Sequence, residues 1–326
     1  MSRPPRGPWH DGPPSDHFDG RRFFNPAGPS HPDTWTSMKW IATRERRAWP
    51  AWVDVTPAAP PARVDDLRVT FVGHATVLVQ AAGRNVLLDP VWSDRASPLS
   101  WAGPKRHHAP GVAWDDLPPV DVAVVTHTHY DHMDAPTLRR LRDRDGTVCV
   151  APLGCDVPLG AEVRGMPVTT LDWGGTAEAA GLRITALPCR HWSQRYGADR
   201  DLALWASFLI DLPGGGVLLT GDTGFDEGRP YDAAAAHGPI RLAVIPIGAY
   251  APRWHMVHEH QDPAQAVEGF RRSGAAHGMA MHWGCFRMTD EGRDDPVEAL
   301  AEARAAQGVA AERFRVLQPG EGWDVP

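Results

Sequence analysis

Thr126-His127-Thr128-His129-Tyr130-Asp131-His132 places three imidazoles and a carboxylate within seven residues. The stretch follows Val122-Ala123-Val124-Val125, a short apolar run that reads as a buried strand. It precedes Met133-Asp134-Ala135-Pro136-Thr137-Leu138, where Asp134 is suited to cap a helix and Pro136 is tolerated in its first turn. The cluster therefore sits on a loop between a strand end and a helix start, where side chains are held rigidly over open space.

Neutral imidazoles and a carboxylate suit zinc, iron or manganese. His127 and His129 are two apart, so an extended backbone points them the same way. Asp131 and His132 come after the chain turns and can face a second centre. Each metal needs about three protein ligands, so the remainder must come from further along. The rest of the chain repeats the pattern: His191, Asp222 and His282 each follow an apolar, strand-like run. Strands ending at one sheet edge would bring these loops together.

The 326 residues suit one large domain or two smaller ones. Net charge is −7 with both signs mixed, which argues against a nucleic-acid binder held by phosphate contacts. Cys149, Cys155, Cys189 and Cys285 form no CxxC pair and read as small buried apolar residues. The N-terminal Arg3–Arg6 region lacks the apolar core of a secretory signal, and no run approaches a membrane span. The expectation is a cytoplasmic protein with at most peripheral membrane contact.

Residues 1–53 read as an N-terminal extension and 54–326 as the catalytic domain. Residues 1–33, rich in Pro, Gly and Asp, are expected to be loose. Trp35, Met38, Trp40, Ile41, Trp49 and Trp52 are expected to pack a short helix on the body, with a patch for lipid or a second subunit as the alternative. Residues 67–88 read as three short strands with a turn at Ala82-Gly83. Residues 92–119 read as a long irregular lid or wall in which Lys105 and Arg106 either greet an anionic substrate or are solvated surface charge. Later strands are expected at 147–151, 182–188, 204–211, 216–220, 241–248, 277–281 and 313–317. Asp262-Pro263 and Asp295-Pro296 open helices.

With these residues in view, the sequence resembles the metallo-β-lactamase superfamily: His-x-His-x-Asp-His, then His191, Asp222 and His282. It is similar in particular to the N-acyl-phosphatidylethanolamine-hydrolysing phospholipase D branch. That likeness rests on Val72-Gly73-His74-Ala75-Thr76, Asp89-Pro90, Gly103-Pro104-Lys105-Arg106, His191-Trp192, Gly221-Asp222-Thr223-Gly224, Pro252-Arg253-Trp254 and His282-Trp283-Gly284. The resemblance covers roughly residues 65–320. It implies an α/β (α+β) fold, an αββα sandwich with a dinuclear zinc site at one edge, and it leaves a homodimer open. It assigns His127, His129 and His191 to one metal and Asp131, His132 and His282 to the other, with Asp222 bridging. It places His260 near the substrate phosphate.

The expected reaction is hydrolysis of a lipid or small phosphodiester by water made acidic between two metal ions. Asp131, Asp222 and His260 would serve the chemistry, and Tyr250, Arg253 and His260 would orient the phosphate. Trp192 and Trp283 would pack against the ligands, while Asp89 and His74 would orient them. The same ligand set would serve a lactone or amide hydrolase. A redox di-iron site would normally need a flavin or electron-transfer module, which no stretch here suggests, and the complete ligand set argues against a non-catalytic scaffold that only holds metal.

Overall fold

A computed structural model describes residues 8–29 and 31–326 of the chain; the reading of Arg3 and Arg6 falls outside them. Strands β1 (Arg68–Gly73), β2 (Thr76–Ala81) and β3 (Arg84–Leu88) form an antiparallel meander. Ala82 and Gly83, with φ of 50° and 69°, make the turn between β2 and β3. Two successive positive φ angles match the right-handed twist of a hairpin. On the other side of β3 lie β4 (Val122–Val124), β5 (Val148–Pro152) and β6 (Val168–Leu171), all parallel.

The second sheet runs through β7 (Thr176–Ala179), β8 (Leu182–Leu187), β9 (Ser207–Ile210) and β10 (Gly216–Leu219), each antiparallel to the last. It continues in parallel with β11 (Ile240–Pro246), β12 (His277–Met281) and β13 (Phe314–Arg315). Strand β14 (Gly322–Asp324) returns to pair with β1, giving two sheets of seven strands.

Alternation along each strand builds the layers. Val77 and Val79 of β2 join the core shared with Phe208 and Ile210 of the second sheet. Leu78, between them, points the other way and packs with Leu138 and Leu141 of α2 (Ala135–Asp145). A strand buried on both faces needs apolar residues throughout, which explains the unbroken run before the histidine loop. Across the second sheet, α6 (Pro263–Arg272) starts with a reciprocal cap between Asp262 and Gln265 and buries Ala266, Val267 and Phe270. The result is the expected αββα sandwich.

Because β8 and β10 are both antiparallel to β9, they run the same way. The loops after β8, β10 and β12 therefore leave one edge of their sheet, as those after β3 and β4 leave one edge of theirs.

The structure corrects three expectations outside this frame. The described part of residues 1–33 is not loose: Trp9, Phe18 and Phe23 are buried, the latter two against Leu204 and Trp205. His17 donates to Asp172 at 2.7 Å and stacks on Trp173. Helix α1 (Thr34–Thr43) forms but buries no residue, leaving Trp35 76%, Met38 56% and Ile41 65% exposed. It is tied on by Trp40 Nε1 donating to Asp290 at 2.8 Å rather than by apolar burial. Arg106 does not face a substrate. It is buried and donates to the Val91 carbonyl at 2.8 Å and to Cys285 Sγ at 3.3 Å, bracing the irregular segment from within. Among the described residues, no helix is long and apolar enough to cross a membrane.

Candidate metal centre

Asp89, directly after β3, is the residue that sets the histidine loop. Held at φ 38° and fully buried, it accepts from Thr126 N and Thr126 Oγ1 at 2.8 Å each. It also accepts from His132 Nδ1 at 2.6 Å, which turns His132 Nε2 inward. The loop closes on itself through His132 N and Met133 N, both donating to the His129 carbonyl. From outside, Arg195 donates to the carbonyls of Thr128 and Met133 at 3.2 and 2.8 Å. Its charge is met by Glu162 at 2.5 Å, and Tyr130 lies against its guanidinium.

The partner loops arrive through equally tight backbone fits. Gly221 has φ +61°, and a Cβ there would meet Thr126 side-chain atoms at 2.7–2.9 Å. A Cβ on Gly248 would lie 2.1 Å from the His282 carbonyl oxygen. Glycine at 221 lets the edges of the two sheets approach, and glycine at 248 lets the loops after the neighbouring strands β11 and β12 approach.

The meeting loops form two connected groups. His127 Nε2 and His191 Nε2 lie 2.8 and 3.3 Å from His129 Nδ1. Asp131 Oδ2 lies 3.4 Å from His132 Nε2 and 3.6 Å from His282 Nε2. Asp222 Oδ2 stands between the groups, 3.1 Å from His132 Nε2, 3.2 Å from His282 Nε2 and 3.8 Å from His191 Nε2. His260 Nδ1 approaches the same oxygen at 3.9 Å. Outside the ring, His74 donates to Asp131 at 2.9 Å, and His191 Nδ1 donates to the Glu259 carbonyl at 3.1 Å. His74 is also close enough to join the Asp131–His132–His282 set.

The donor set fits metal. His132 Nε2, His282 Nε2, His260 Nδ1 and Asp222 Oδ1 are buried without a well-directed hydrogen-bond partner, a cost that coordination would remove. Burial holds His127 well below its usual pKa and lowers His129 to about 3 and His191 to about 4, so these imidazoles stay neutral, the form that ligates metal. Burial also opposes charge on His282, but the Asp222 and Asp131 carboxylates outweigh it and raise it to about 9. In return the nearby imidazoles, His132 foremost, overcome burial and keep Asp131 and Asp222 well below the carboxylate range. The carboxylates thus stay ionised.

A cavity of about 400 Å³ opens over this centre. Its floor includes His129, Asp131, His191, Asp222, His260 and His282, and its walls include Trp40, Pro104, Met256 and Met288. Of the residues expected to meet substrate, only His260 is brought here. Arg253 instead donates to the His260 carbonyl at 2.7 Å and to Gln265 at 3.0 Å. Tyr250 lines a separate recess with Trp254 and Asp290. Trp192 lines the cavity, edge-on to His129, whereas Trp283 is buried in the main core. The sequence reading missed Arg195, Glu162, Glu259 and Arg200. Nothing in the spacing marks Glu162 or Glu259, and Arg195 carries only its nearness to His191.

The two-sheet sandwich with an imidazole–carboxylate centre at its edge, together with relatives named metal-dependent hydrolases, makes this a metal-dependent hydrolase. The chain belongs to the metallo-β-lactamase superfamily, in its N-acyl-phosphatidylethanolamine-hydrolysing phospholipase D-like branch. The family described as "Beta-lactamase superfamily domain" matches residues 84–283. N-acyl-phosphatidylethanolamine-hydrolyzing phospholipase D 1 of Caenorhabditis elegans is 37% identical over 270 residues, covering 79% of this chain and 76% of its own. Among solved structures, Igni18, a metallo hydrolase from Ignicoccus hospitalis, aligns with a TM-score of 0.58 at 24% identity over 79% of this chain and 97% of its own. CmlA, a diiron β-hydroxylase from Streptomyces venezuelae, aligns at 0.59 with 21% identity over 80% of this chain and 54% of its own. These two likenesses concern the fold.

Proposed function

We propose that this hydrolase is a phosphodiesterase of phospholipase D type that works with two metal ions. Zinc is the first candidate, and iron and manganese also suit the donors. The observation that carries this reading is the position of Asp222 Oδ2, within 3.8 Å of imidazole nitrogens from both groups. His127, His129 and His191 would hold one ion, Asp131, His132 and His282 the other, and Asp222 would touch both. When bound, the pair would acidify water, orient the phosphodiester and take up phosphoryl charge.

The chain's own residues supply the rest. His260, neutral through burial, would donate a hydrogen bond to a phosphoryl oxygen. Arg253 would position it by gripping its carbonyl. Asp131, ionised and braced by His74, would accept from attacking water. The apolar walls suit an acyl or alkyl portion, and the named activity of the Caenorhabditis elegans relative supports a lipid. Lipid contact would be peripheral, through Trp35, Met38 and Ile41 on α1, the helix whose Ser37 and Trp40 line the cavity.

The test is metal content of the purified protein beside hydrolysis of an aryl phosphodiester, an N-acyl-phosphatidylethanolamine and a lactone. About two ions per chain with cleavage of both diesters is expected. Cleavage of the lactone alone would replace the phosphodiesterase reading, and activity in iron-free protein would dismiss a redox di-iron site.

A further inference from the structure

Arg200 is the only lysine or arginine among the described residues lining the cavity. Its guanidinium lies over the Trp192 indole, 5.1 Å from the ring centroid. Trp192 in turn stands edge-on to His129, with centroids 4.5 Å apart. The Trp192 ring thus contacts both the cation and an imidazole of the cluster.

The segment carrying Arg200 is pinned on both sides. Asp199 accepts from Arg195 N at 2.9 Å and from Tyr196 N at 2.7 Å. Asp201 N donates to the Ser193 carbonyl at 2.8 Å, and Phe23 N donates to the Asp201 carbonyl at 2.8 Å. Arg22 reaches the Arg200 carbonyl itself. The nearby arginines are committed: Arg190 pairs with Asp226 at 2.8 Å and Arg195 with Glu162 at 2.5 Å. Arg200 differs, because among the described residues no carboxylate lies within ion-pair distance of it. The guanidinium lies over the indole face, and no hydrogen bond from its N–H groups is made to another described residue, so these donors are available to a ligand. They match the paired oxygens of a carboxylate or phosphate. Met256 and Met288 give the same cavity apolar walls.

We propose that Arg200 is a specificity-determining residue that receives an anionic group, a carboxylate or phosphate, carried by the substrate at its end remote from the scissile bond. The favoured substrate is then an amphiphile with a second negative charge in addition to the one at the reacting centre. This rests on the hydrolase reading above and names a substrate class within it.

The test uses the metal-loaded full chain and matched substrate pairs that differ only in a remote carboxylate or its carboxamide, one pair built on an aryl phosphodiester and one on a lactone. Wild type should favour the carboxylate by about 10-fold in kcat/KM, the scale of one charge-assisted hydrogen-bonded contact. Arg200→Gln should bring the two members to the same kcat/KM, and Arg200→Lys should keep part of the preference. No preference in wild type, or an undiminished preference in Arg200→Gln with both members slowed alike, overturns the proposal and leaves the hydrolase reading standing. Turnover of the lactone pair alone with the preference intact removes the phosphodiesterase reading and keeps Arg200. Turnover of neither pair takes down both.

Discussion

Asp89 and His132 are joined by a 2.6 Å hydrogen bond between two fully buried side chains. The bond fixes the imidazole tautomer, so Nε2 faces Asp222. Asp89→Asn replaces a carboxylate oxygen that serves both His132 and the Thr126 hydroxyl. Metal affinity should fall about 10–100-fold, the usual cost of losing a partner behind a ligand. Metal content after dialysis against graded chelator reads this directly. Retention equal to wild type would mean that Asp89 is structural only.

His127→Ala and Asp222→Ala act on the ligand atoms themselves. Each should lose metal and turnover together, beyond the roughly 10–100-fold expected for Asp89→Asn. Elemental analysis and an aryl phosphodiester assay on the same preparation decide it. Full metal content with full turnover in either variant would sink the ligand assignment.

Stability of the metal-free protein should fall with acid. Burial lowers His74 and His129 to about 3, and His108 and His191 to about 4, from 6.5. A depressed pKa means that the unfolded chain binds more protons. The stability linked to these groups is therefore present above 6.5 and lost as pH falls toward 3–4. His282, raised to about 9, acts oppositely, contributing below 6.5 and losing that contribution as pH rises through 9. Urea unfolding of chelated protein should show a loss of about 1 kcal/mol per buried neutral histidine between pH 7.5 and 5.5. A flat profile would show that these rings are not held neutral. Metal binding should weaken over the same range as protons compete for the ring nitrogens.

The buried Arg195 pairs with the partly exposed Glu162 and grips the histidine loop by two carbonyls. Arg195→Met strands the Glu162 charge and frees the loop. The expected loss is about 2–3 kcal/mol in unfolding free energy, the scale of losing charge-assisted hydrogen bonds to a partly exposed carboxylate. Arg195→Met combined with Glu162→Leu should recover most of that stability. If the double variant is no better than the single one, the pair is not the source.

Trp35 and Ile41 project from α1 into solvent. Replacing both by alanine should lower partition onto phosphatidylcholine vesicles about tenfold, as expected for losing two large apolar contacts. The ratio of vesicle-borne to soluble diester turnover should fall with it. Unchanged partition in a sedimentation assay would remove α1 as the lipid contact.

Much of this centre was legible in the chain before folding. Strands, turns and helix starts write local signals: the unbroken valines before His127, Ala82-Gly83 at a hairpin, and Asp262-Pro263 at a helix. Membership of the buried cluster was legible too, because His127, His129, Asp131 and His132 share one loop and His191, Asp222 and His282 repeat its position after a strand. Shorter elements were not, among them α3 (Asp156–Glu162), α4 (Arg229–Ala235), β6 and β7. Their residues are half-polar, and they are held by neighbours rather than by their own period.

By itself, the sequence determined which imidazoles and carboxylates are available at one edge of the sheets, since donor type and loop position are properties of the chain. Which groups surround them was decided only by tertiary structure. Arg253 and Arg106 look like substrate contacts in the chain, yet one grips the His260 carbonyl and the other braces a loop from within. Arg195 and Arg200 lie five residues apart on one segment. The first is neutralised by Glu162, 33 residues away in sequence, and the second lies over Trp192 with no carboxylate paired to it among the described residues. Long charged side chains reach whatever the fold places near them, and that proximity follows from sheet pairing and layer packing, not from local sequence.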